Sequence, residues 1–310
     1  MRDHHRARAP RLYVLAMEVP GDPVASTPPV AGAMTAHARL LPGAVRLAAL
    51  HAAALPQKEA LCGAFWAALA LQTAAAPDAA ADPALDQEAV AVAAGTTIDR
   101  AANPSMHPPG AVPRLDYRLE LPVNADEQRS GTAAAGLVRA IERLSDGALA
   151  VVPVRGAWSS ARLIALIELV EAQPAPATIV ANVATGPFWH SRVPFAQALR
   201  YLAEGDDEGP DSEWQVGHFV GVLGRVEGPR GTLVLVADTY RELGDDGVHR
   251  QPIERFVRAL QRGDTGKGGL LLTVAADRAP ALAAAVSATG LVVEVWDNGS
   301  DDVAEDADAR

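Results

Sequence analysis

The stretch WQVGHFVGVLGRVEGPRGTLVLVAD, residues 214–238, sets the architecture expected for the rest of the chain. Two runs rich in Val and Leu flank a loop containing Gly and Pro, which predicts an antiparallel β-hairpin. His218 falls on an apolar strand face, where an unpaired imidazole is costly to bury. Folding the hairpin about Gly228 places His218 opposite Asp238, with Cβ atoms about 5 Å apart. The hairpin therefore predicts a buried His–Asp pair.

Outward from this hairpin, the helical segments come early in the chain and most strands come late. That order favours an α+β fold over a doubly wound α/β fold. The predicted helices cover 44–55, 60–75, 87–94, 131–144, 159–172, 194–204, 253–263 and 278–289. The predicted strands cover 117–121, 149–154, 177–184, 214–223, 232–238 and 269–274.

The pattern also predicts how the chain divides. Residues 41–295 are expected to form a single domain, interrupted by an insertion at about 75–130 that is rich in Ala, Pro and Asp. Residues 1–40 lack a sustained hydrophobic period and are predicted to be disordered. The acidic residues 296–310 are predicted to be a disordered, solvated tail.

Composition excludes several classes of function. Among 310 residues, 27 are Lys or Arg and 38 are Asp or Glu, so the net charge is −11 and binding to nucleic acid or an anionic membrane is disfavoured. The single cysteine excludes an internal disulfide framework and a multi-thiolate zinc site, and we expect neither a metal nor a cofactor. No apolar run reaches the ~20 residues of a membrane span, so the expected location is cytoplasmic.

That cysteine, Cys62, stands where a loop becomes a helix. The positive end of a helix dipole favours a thiolate there, and Gly63 leaves space for a substrate backbone. Gln57 supplies an amide that can donate to an oxyanion beside the Cys62 backbone N–H. Two alternatives stay open: Cys62 as an inert core residue, and His218 paired with Asp238 for structural reasons alone.

The same residues resemble a known family. Gln-x4-Cys-Gly at a helix start, Gly-His-Phe-Val-x-Val-Leu-Gly on a strand and Val-Ala-Asp-Thr-Tyr ending the next strand are similar to papain-like cysteine peptidases. The bacteriocin-processing (C39-like) branch is the most similar. The order Cys, His, Asp and the 156 residues from Cys62 to His218 suit that fold. The chain departs from the pattern in the insertion at about 75–130, in Ala64-Phe65-Trp66 and in Thr239 after the aspartate.

The resemblance implies an α+β papain-like fold in which an early helix carries Cys62 and a late antiparallel sheet carries the other two groups. It makes Cys62 the nucleophile, His218 the general base and acid, Asp238 the residue that orients the imidazole, and Gln57 the oxyanion donor. The expected substrate is a peptide or small acyl compound, cleaved through a thioester acyl-enzyme.

Further residues complete the hypothesis. Gly217 joins Gly63 as a substrate-binding glycine, Trp189 and His190 are expected to line the cleft, and His249 is expected to be an exposed turn residue. The alternatives to hydrolysis are an amide-forming acyltransferase on the same triad and a non-catalytic peptide-binding module.

Overall fold

The computed structural model describes residues 36–75, 80–263 and 265–302. Eight strands in these residues form one antiparallel sheet: β1 (His37–Leu40), β2 (Leu149–Arg155), β3 (Thr178–Ala184), β4 (Gly217–Glu227), β5 (Thr232–Ala237), β6 (Val248–Pro252), β7 (Gly269–Ala275) and β8 (Val292–Val293). The strand order is β6-β5-β4-β3-β7-β2-β8, and β1 also pairs with β4. The predicted α+β class is confirmed.

Helices pack against this sheet in two groups. They are α1 (Ala44–Ala54), α2 (Cys62–Ala74), α3 (Gln87–Ala94), α4 (Ala134–Leu144), α5 (Ser160–Glu171), α6 (Phe195–Glu204), α7 (Ile253–Gln261) and α8 (Ala279–Ala288). Helix α2 contacts β4 and is surrounded by α1, α3 and α4, whereas α5 contacts both α7 and α8, α7 contacts β3, and α8 contacts β2. In the described part of the chain, no helix has both the length and the apolar character needed to cross a membrane.

The contact between α2 and β4 brings the first residue of α2 to the sheet. The Trp66 indole lies on Gly221, where an added Cβ would come within 2.4 Å of the ring. The indole Nε1 donates a hydrogen bond to the carbonyl oxygen of Phe219 at 3.0 Å. Because the Trp66 indole both packs on Gly221 and is hydrogen-bonded to Phe219, α2 has little freedom to slide along β4.

The predicted hairpin between β4 and β5 is present, but its register differs from the expected one. The Gly228 N–H donates to the Gly231 carbonyl, so the turn centres between residues 229 and 230 rather than on Gly228. A bulge between Val222 and Gly224 then shifts the pairing, and Val222 lies opposite Val236. The expectation that His218 lies directly opposite Asp238 is therefore wrong by two residues.

Both chain ends are more ordered than predicted. Residues 37–40 form β1, which pairs with the last four residues of β4, whereas the remainder of the predicted disordered segment lies outside the described residues. Trp296 is buried and donates from Nε1 to the Lys267 carbonyl at 2.9 Å. Asp302 pairs with Arg139. The tail is ordered to residue 302 because its acidic groups find cations elsewhere; residues 303–310 lie outside the described residues.

The insertion contains the predicted helix at 87–94, but the strand expected at 117–121 is absent. The backbone N–H groups of Arg118 and Leu119 donate instead to the buried Glu88 carboxylate, at 2.5 and 2.8 Å. Lys58 also donates to Glu88, so one buried carboxylate joins the insertion to the loop before α2.

The tail also caps α4, which generates a test of stability. Asn298 Oδ1 accepts from the Ala134 N–H at 3.0 Å, and its Nδ2 donates to the Thr132 carbonyl at 3.1 Å. We expect Asn298→Ala to lower the free energy of unfolding by about 1–2 kcal/mol, measured by urea denaturation. The control is Asn103→Ala, which removes similar bonds in an exposed turn and should cost below about 0.5 kcal/mol. Equal losses in both variants would contradict the capping role.

Candidate active site

Cys62 is the first residue of α2 and is half-buried. Its backbone N–H is one of the first N–H groups of the helix, which have no acceptor within the helix itself. The sequence placed this thiol at a helix start, and the structure confirms that placement. The dipole of a 13-residue helix therefore acts on Cys62.

His218 and Asp238 meet as the hairpin predicted, despite the altered register. His218 Nε2 lies 3.1 Å from Asp238 Oδ1, and both side chains are almost fully buried. The contact survives because a residue two positions along a neighbouring strand remains within reach of a long side chain. Thr239 Oγ1 lies 3.2 Å from the same imidazole nitrogen, and the Thr239 N–H donates to Asp238 Oδ1 at 2.7 Å.

The thiol and the imidazole interact directly. Burial raises the pKa of Cys62, but the hydrogen bond and charge of His218 and the N–H groups of Phe219 and Gly63 outweigh it, so the pKa falls below its ordinary value. Burial lowers the pKa of His218, but Asp238 and then Cys62 outweigh it and raise the pKa to about 10. Nε2 of His218 faces Asp238. The lowered pKa of the thiol and the raised pKa of the imidazole both shift this pair towards a thiolate and an imidazolium.

Asp238 is held from several elements. Burial raises the pKa of its carboxyl, but the charge and hydrogen bond of His218, followed by the nearby His249, outweigh it and lower the pKa. His51, on α1, points its Nε2 at the Asp238 backbone carbonyl at 2.5 Å. The expectation that His249 is an exposed turn residue is wrong: it is buried on β6, with Nε2 3.6 Å from Asp238 Oδ2.

Gln57 is buried beside a tyrosine. Its Nε2 donates to the Tyr240 hydroxyl at 3.2 Å, and its backbone N–H donates to the Thr239 carbonyl. An amide nitrogen carries two hydrogens, so one N–H is left for another acceptor. Burial, followed by the charges of Glu59 and Cys62, raises the pKa of Tyr240 and keeps the hydroxyl neutral. Gln57 thus lies in the same buried group as His218, whose ring stacks on that of Tyr240 with centroids 6.3 Å apart.

A cleft of about 650 Å³ opens beside these residues. One wall is the insertion segment 104–113, and the other consists of residues 213–215. The Trp214 ring in the second wall packs against the His218 ring with centroids 4.8 Å apart, so one side chain lies between the cleft and the imidazole. His107 in the first wall bonds through Nε2 to Glu59 at 2.5 Å, which ties that wall to the loop before Cys62.

Gly63 and Gly217, the two glycines expected to bind substrate, lie against other residues of the protein. A Cβ on Gly63 would lie 3.0 Å from Leu137 and 3.2 Å from Phe219, so the missing side chain serves core packing. A Cβ on Gly217 would lie 2.3 Å from the Arg262 guanidinium. The expected substrate role of these glycines is corrected, because neighbouring side chains already occupy the space.

The aromatic loop is also placed differently from the prediction. Trp189 is buried, donates from Nε1 to the Asp207 carbonyl at 2.8 Å and packs against Tyr201, so it is a core residue and does not line the cleft. His190 is partly exposed, and its Nε2 lies 3.6 Å from Glu213 in the cleft wall. His190 therefore contacts a residue of the cleft wall but does not line the cleft itself.

Sequence patterns missed several residues that surround the triad. Tyr240 and Trp214 cover the imidazole, His51 and His249 support Asp238, and Arg262 covers Gly217. The polar side chains of β6 are buried, and a hydropathy pattern does not predict the burial of polar residues. The position of Val248–Pro252 beside β5 becomes clear only when the pairing of β5 is known. In the described residues, no group of three or more His, Cys, Asp or Glu side chains is arranged to hold a metal ion.

Comparison with known proteins gives one match. Residues 41–297 match a family model described as a family of unknown function (DUF6885). No curated protein matches the sequence.

The two shifted pKa values determine how pH changes the stability of the His218–Asp238 pair. Because the pKa of His218 is raised, its contribution to the free energy of unfolding is complete below the ordinary histidine pKa of about 6.5. That contribution is lost as pH rises towards about 10. The lowered pKa of Asp238 means that its contribution is complete above about 3.9 and is lost as pH falls through the lowered value. The pair should stabilise the fold most between about pH 4 and pH 6.5.

We therefore expect Asp238→Asn to lower the free energy of unfolding by about 2 kcal/mol near pH 5.5, and by clearly less near pH 9. Urea denaturation of both proteins at the two pH values measures the difference. The control is the exposed Asp277, whose change to Asn should have the same small effect at both. A loss for Asp238→Asn that does not vary with pH would contradict the ionised pair.

Proposed function

We propose that this chain, which belongs to the DUF6885 family, is a thiol acyl hydrolase of the cysteine peptidase type with Cys62, His218 and Asp238 as its triad. The observation that carries the proposal is geometric: Cys62 begins the helix that packs on β4, and β4 carries His218, whose Nε2 lies 3.1 Å from Asp238 Oδ1. The lowered pKa of Cys62 and the raised pKa of His218 agree with that placement. A structural His–Asp pair alone gives no reason for a thiol at a helix start to join it.

The chemistry follows from these groups. The Cys62 thiolate attacks a carbonyl carbon, and the carbonyl electrons move to oxygen. The imidazolium of His218 then gives its proton to the leaving amine as the carbon–nitrogen bond breaks, which leaves a thioester. Water loses a proton to His218 as it attacks the thioester, and the acid and the Cys62 thiolate are released. Throughout, Asp238 keeps the imidazole in one orientation.

The oxyanion has two candidate donors. The Cys62 backbone N–H lies at the helix start, and Gln57 retains an N–H beyond the one given to Tyr240. Both belong to the same loop-to-helix segment, so the distance between them is set by a short stretch of backbone. This arrangement supports the roles that the resemblance to the papain-like, C39-like peptidases implies.

The cleft supports a peptide or small acyl substrate. Its volume of about 650 Å³ is within the range of small-molecule and peptide pockets, and Trp214 in its wall packs against His218. The insertion supplies one wall, so the substrate preference would depend on a segment that the papain-like pattern does not contain. The cytoplasmic location and the absence of nucleic-acid, membrane and cofactor partners remain expectations from the sequence.

Thiol reactivity tests the triad without a known substrate. We expect iodoacetamide to alkylate native Cys62 at mildly acidic pH, because His218 lowers the pKa of the thiol, and His218→Ala to move the half-maximal rate towards the ordinary thiol value of about 8.5. Mass spectrometry measures the rate, and the single cysteine means that each modified molecule reports one site. The denatured protein is the control for an ordinary thiol. Labelling that appears only after denaturation would make Cys62 a core residue.

Turnover is tested with a mixture of acetylated peptides analysed by mass spectrometry. We expect new carboxyl termini with the wild-type protein and none with Cys62→Ser. Added hydroxylamine separates the alternatives, since an acyltransferase yields mainly hydroxamates whereas a hydrolase yields mainly acids. A peptide that binds without new termini or hydroxamates would favour the non-catalytic binding module.

Two adjacent positions then locate the substrate. Ser105 lines the cleft, whereas the exposed Met106 does not. With a cleaved peptide, Ser105→Trp should lower kcat/KM by about tenfold and Met106→Trp should not, while Cys62 alkylation is the same in both. Equal effects of the two substitutions would place the substrate elsewhere.

A further inference from the structure

His249 lies against the second carboxylate oxygen of Asp238. Oδ1 already accepts hydrogen bonds from His218 and from the Thr239 N–H. His249 Nε2 is 3.6 Å from Oδ2, and among the described residues it is the one side chain placed against that oxygen. The β5–β6 pairing puts His249 opposite Val236, two residues before Asp238, so the contact is built into the sheet.

The proton on His249 is located by its other neighbour. The Trp189 N–H donates to Gln251 Oε1 at 2.6 Å, which fixes the orientation of the Gln251 amide. Gln251 Nε2 then donates to the Trp189 carbonyl and to His249 Nδ1, each at 3.0 Å. Because an amide nitrogen only donates, Nδ1 must accept. A neutral His249 therefore carries its proton on Nε2, where it faces Asp238.

The space around this contact excludes a direct role on substrate. Asp238, His249 and Trp214 line a cavity of about 10 Å³, which accommodates one water molecule at most. The separation of 3.6 Å is longer than a hydrogen bond, and one water in this cavity would bridge the Nε2–H and Oδ2. Any influence of His249 on the thiol has to pass through Asp238.

We propose that His249 is a positioning residue of the triad: its Nε2–H holds Oδ2 of Asp238, directly or through one water, so that Oδ1 stays aimed at His218. This inference rests on the function proposed above. Without that donor, the buried carboxylate can rotate away, the imidazolium is less well stabilised, and Cys62 gives up its proton less readily.

Other charged groups near Asp238 are accounted for. On α1, His51 bonds the backbone carbonyl of Asp238 rather than its carboxylate, and burial lowers the pKa of His51 so that it stays neutral. Asp246 and Arg241, in the loop before β6, act on His51 at longer range and with opposite sign. Substitution of His249 leaves all three groups in place.

The test is the pH profile of Cys62 alkylation in the full chain. We expect His249→Phe to raise the pH of half-maximal alkylation by roughly one unit, because a bond to a charged group is lost. His249→Gln should restore most of that shift, since its amide N–H reaches the position of Nε2. In an Asp238→Asn background, His249→Phe should add no further shift, because the effect passes through Asp238. A structural role alone would instead add to it.

A measurement on the wild-type protein covers the case in which a variant does not fold. Histidine ¹⁵N chemical shifts should show that the neutral form of His249 carries its proton on Nε2 and leaves Nδ1 bare. Protonation at Nδ1 would overturn the proposal. The proposal would also be overturned if the alkylation pH profile of His249→Phe superimposed on that of the wild type while the profile of Asp238→Asn shifted. If the wild-type thiol itself shows no acid-shifted reactivity, it is the proposed function that fails.

Discussion

A buried carboxylate must be paired, and Asp238 is the buried carboxylate on which the candidate site depends. Burial without a partner would raise the pKa of that carboxyl and favour its protonated, neutral form, yet its pKa is lowered because His218 and His249 lie against it. His218 comes from β4, His249 from β6 and His51 from α1, so the end of β5 joins three separate elements. The charge at Asp238 then makes His218 a cation and allows a thiolate at Cys62.

Close backbone contacts bring the thiol to that charge. Trp66 fits on Gly221 and Gly63 fits between Leu137 and Phe219, so α2 approaches β4 more closely than larger residues would permit. Of the two glycines that the sequence suggested for substrate access, Gly63 thus helps instead to determine where Cys62 lies, together with Gly221. The small residues Gly63 and Gly221 let α2 pack closely on β4, and that close packing also brings Cys62 towards the charges of His218 and Asp238.

The segments without regular structure are ordered by buried or paired charges. Glu88 holds the insertion through Lys58 and through backbone N–H groups, and Glu59 holds it through His107. The tail is held by Asn298 and by Asp302. These contacts explain why compositions typical of loops or disorder form one wall of the cleft and a cap on α4. The charges that suggested solvation are, in the folded chain, the groups that bind the segments in place.

The sequence by itself determined most of the local structure, including the helix starting at Cys62, the helix at 87–94 and the two strands that carry His218 and Asp238. Those follow from hydrophobic period and turn residues, which act over a few neighbours. It also predicted the His218–Asp238 pair, because an imidazole on an apolar strand needs a partner and the hairpin supplies it, whereas Cys62 was joined to that pair through its place at a helix start and the family resemblance.

Only the tertiary structure decided the hairpin register, the pairing of β1 with β4, the buried position of Trp189 and the contacts of His249, His51 and Tyr240. Each depends on segments far apart in the chain, and on a bulge and close approaches that leave no periodic trace. The residues that stabilise these contacts are distant in sequence, so a local sequence pattern does not include both partners. For that reason the contacts could not be predicted from the sequence alone.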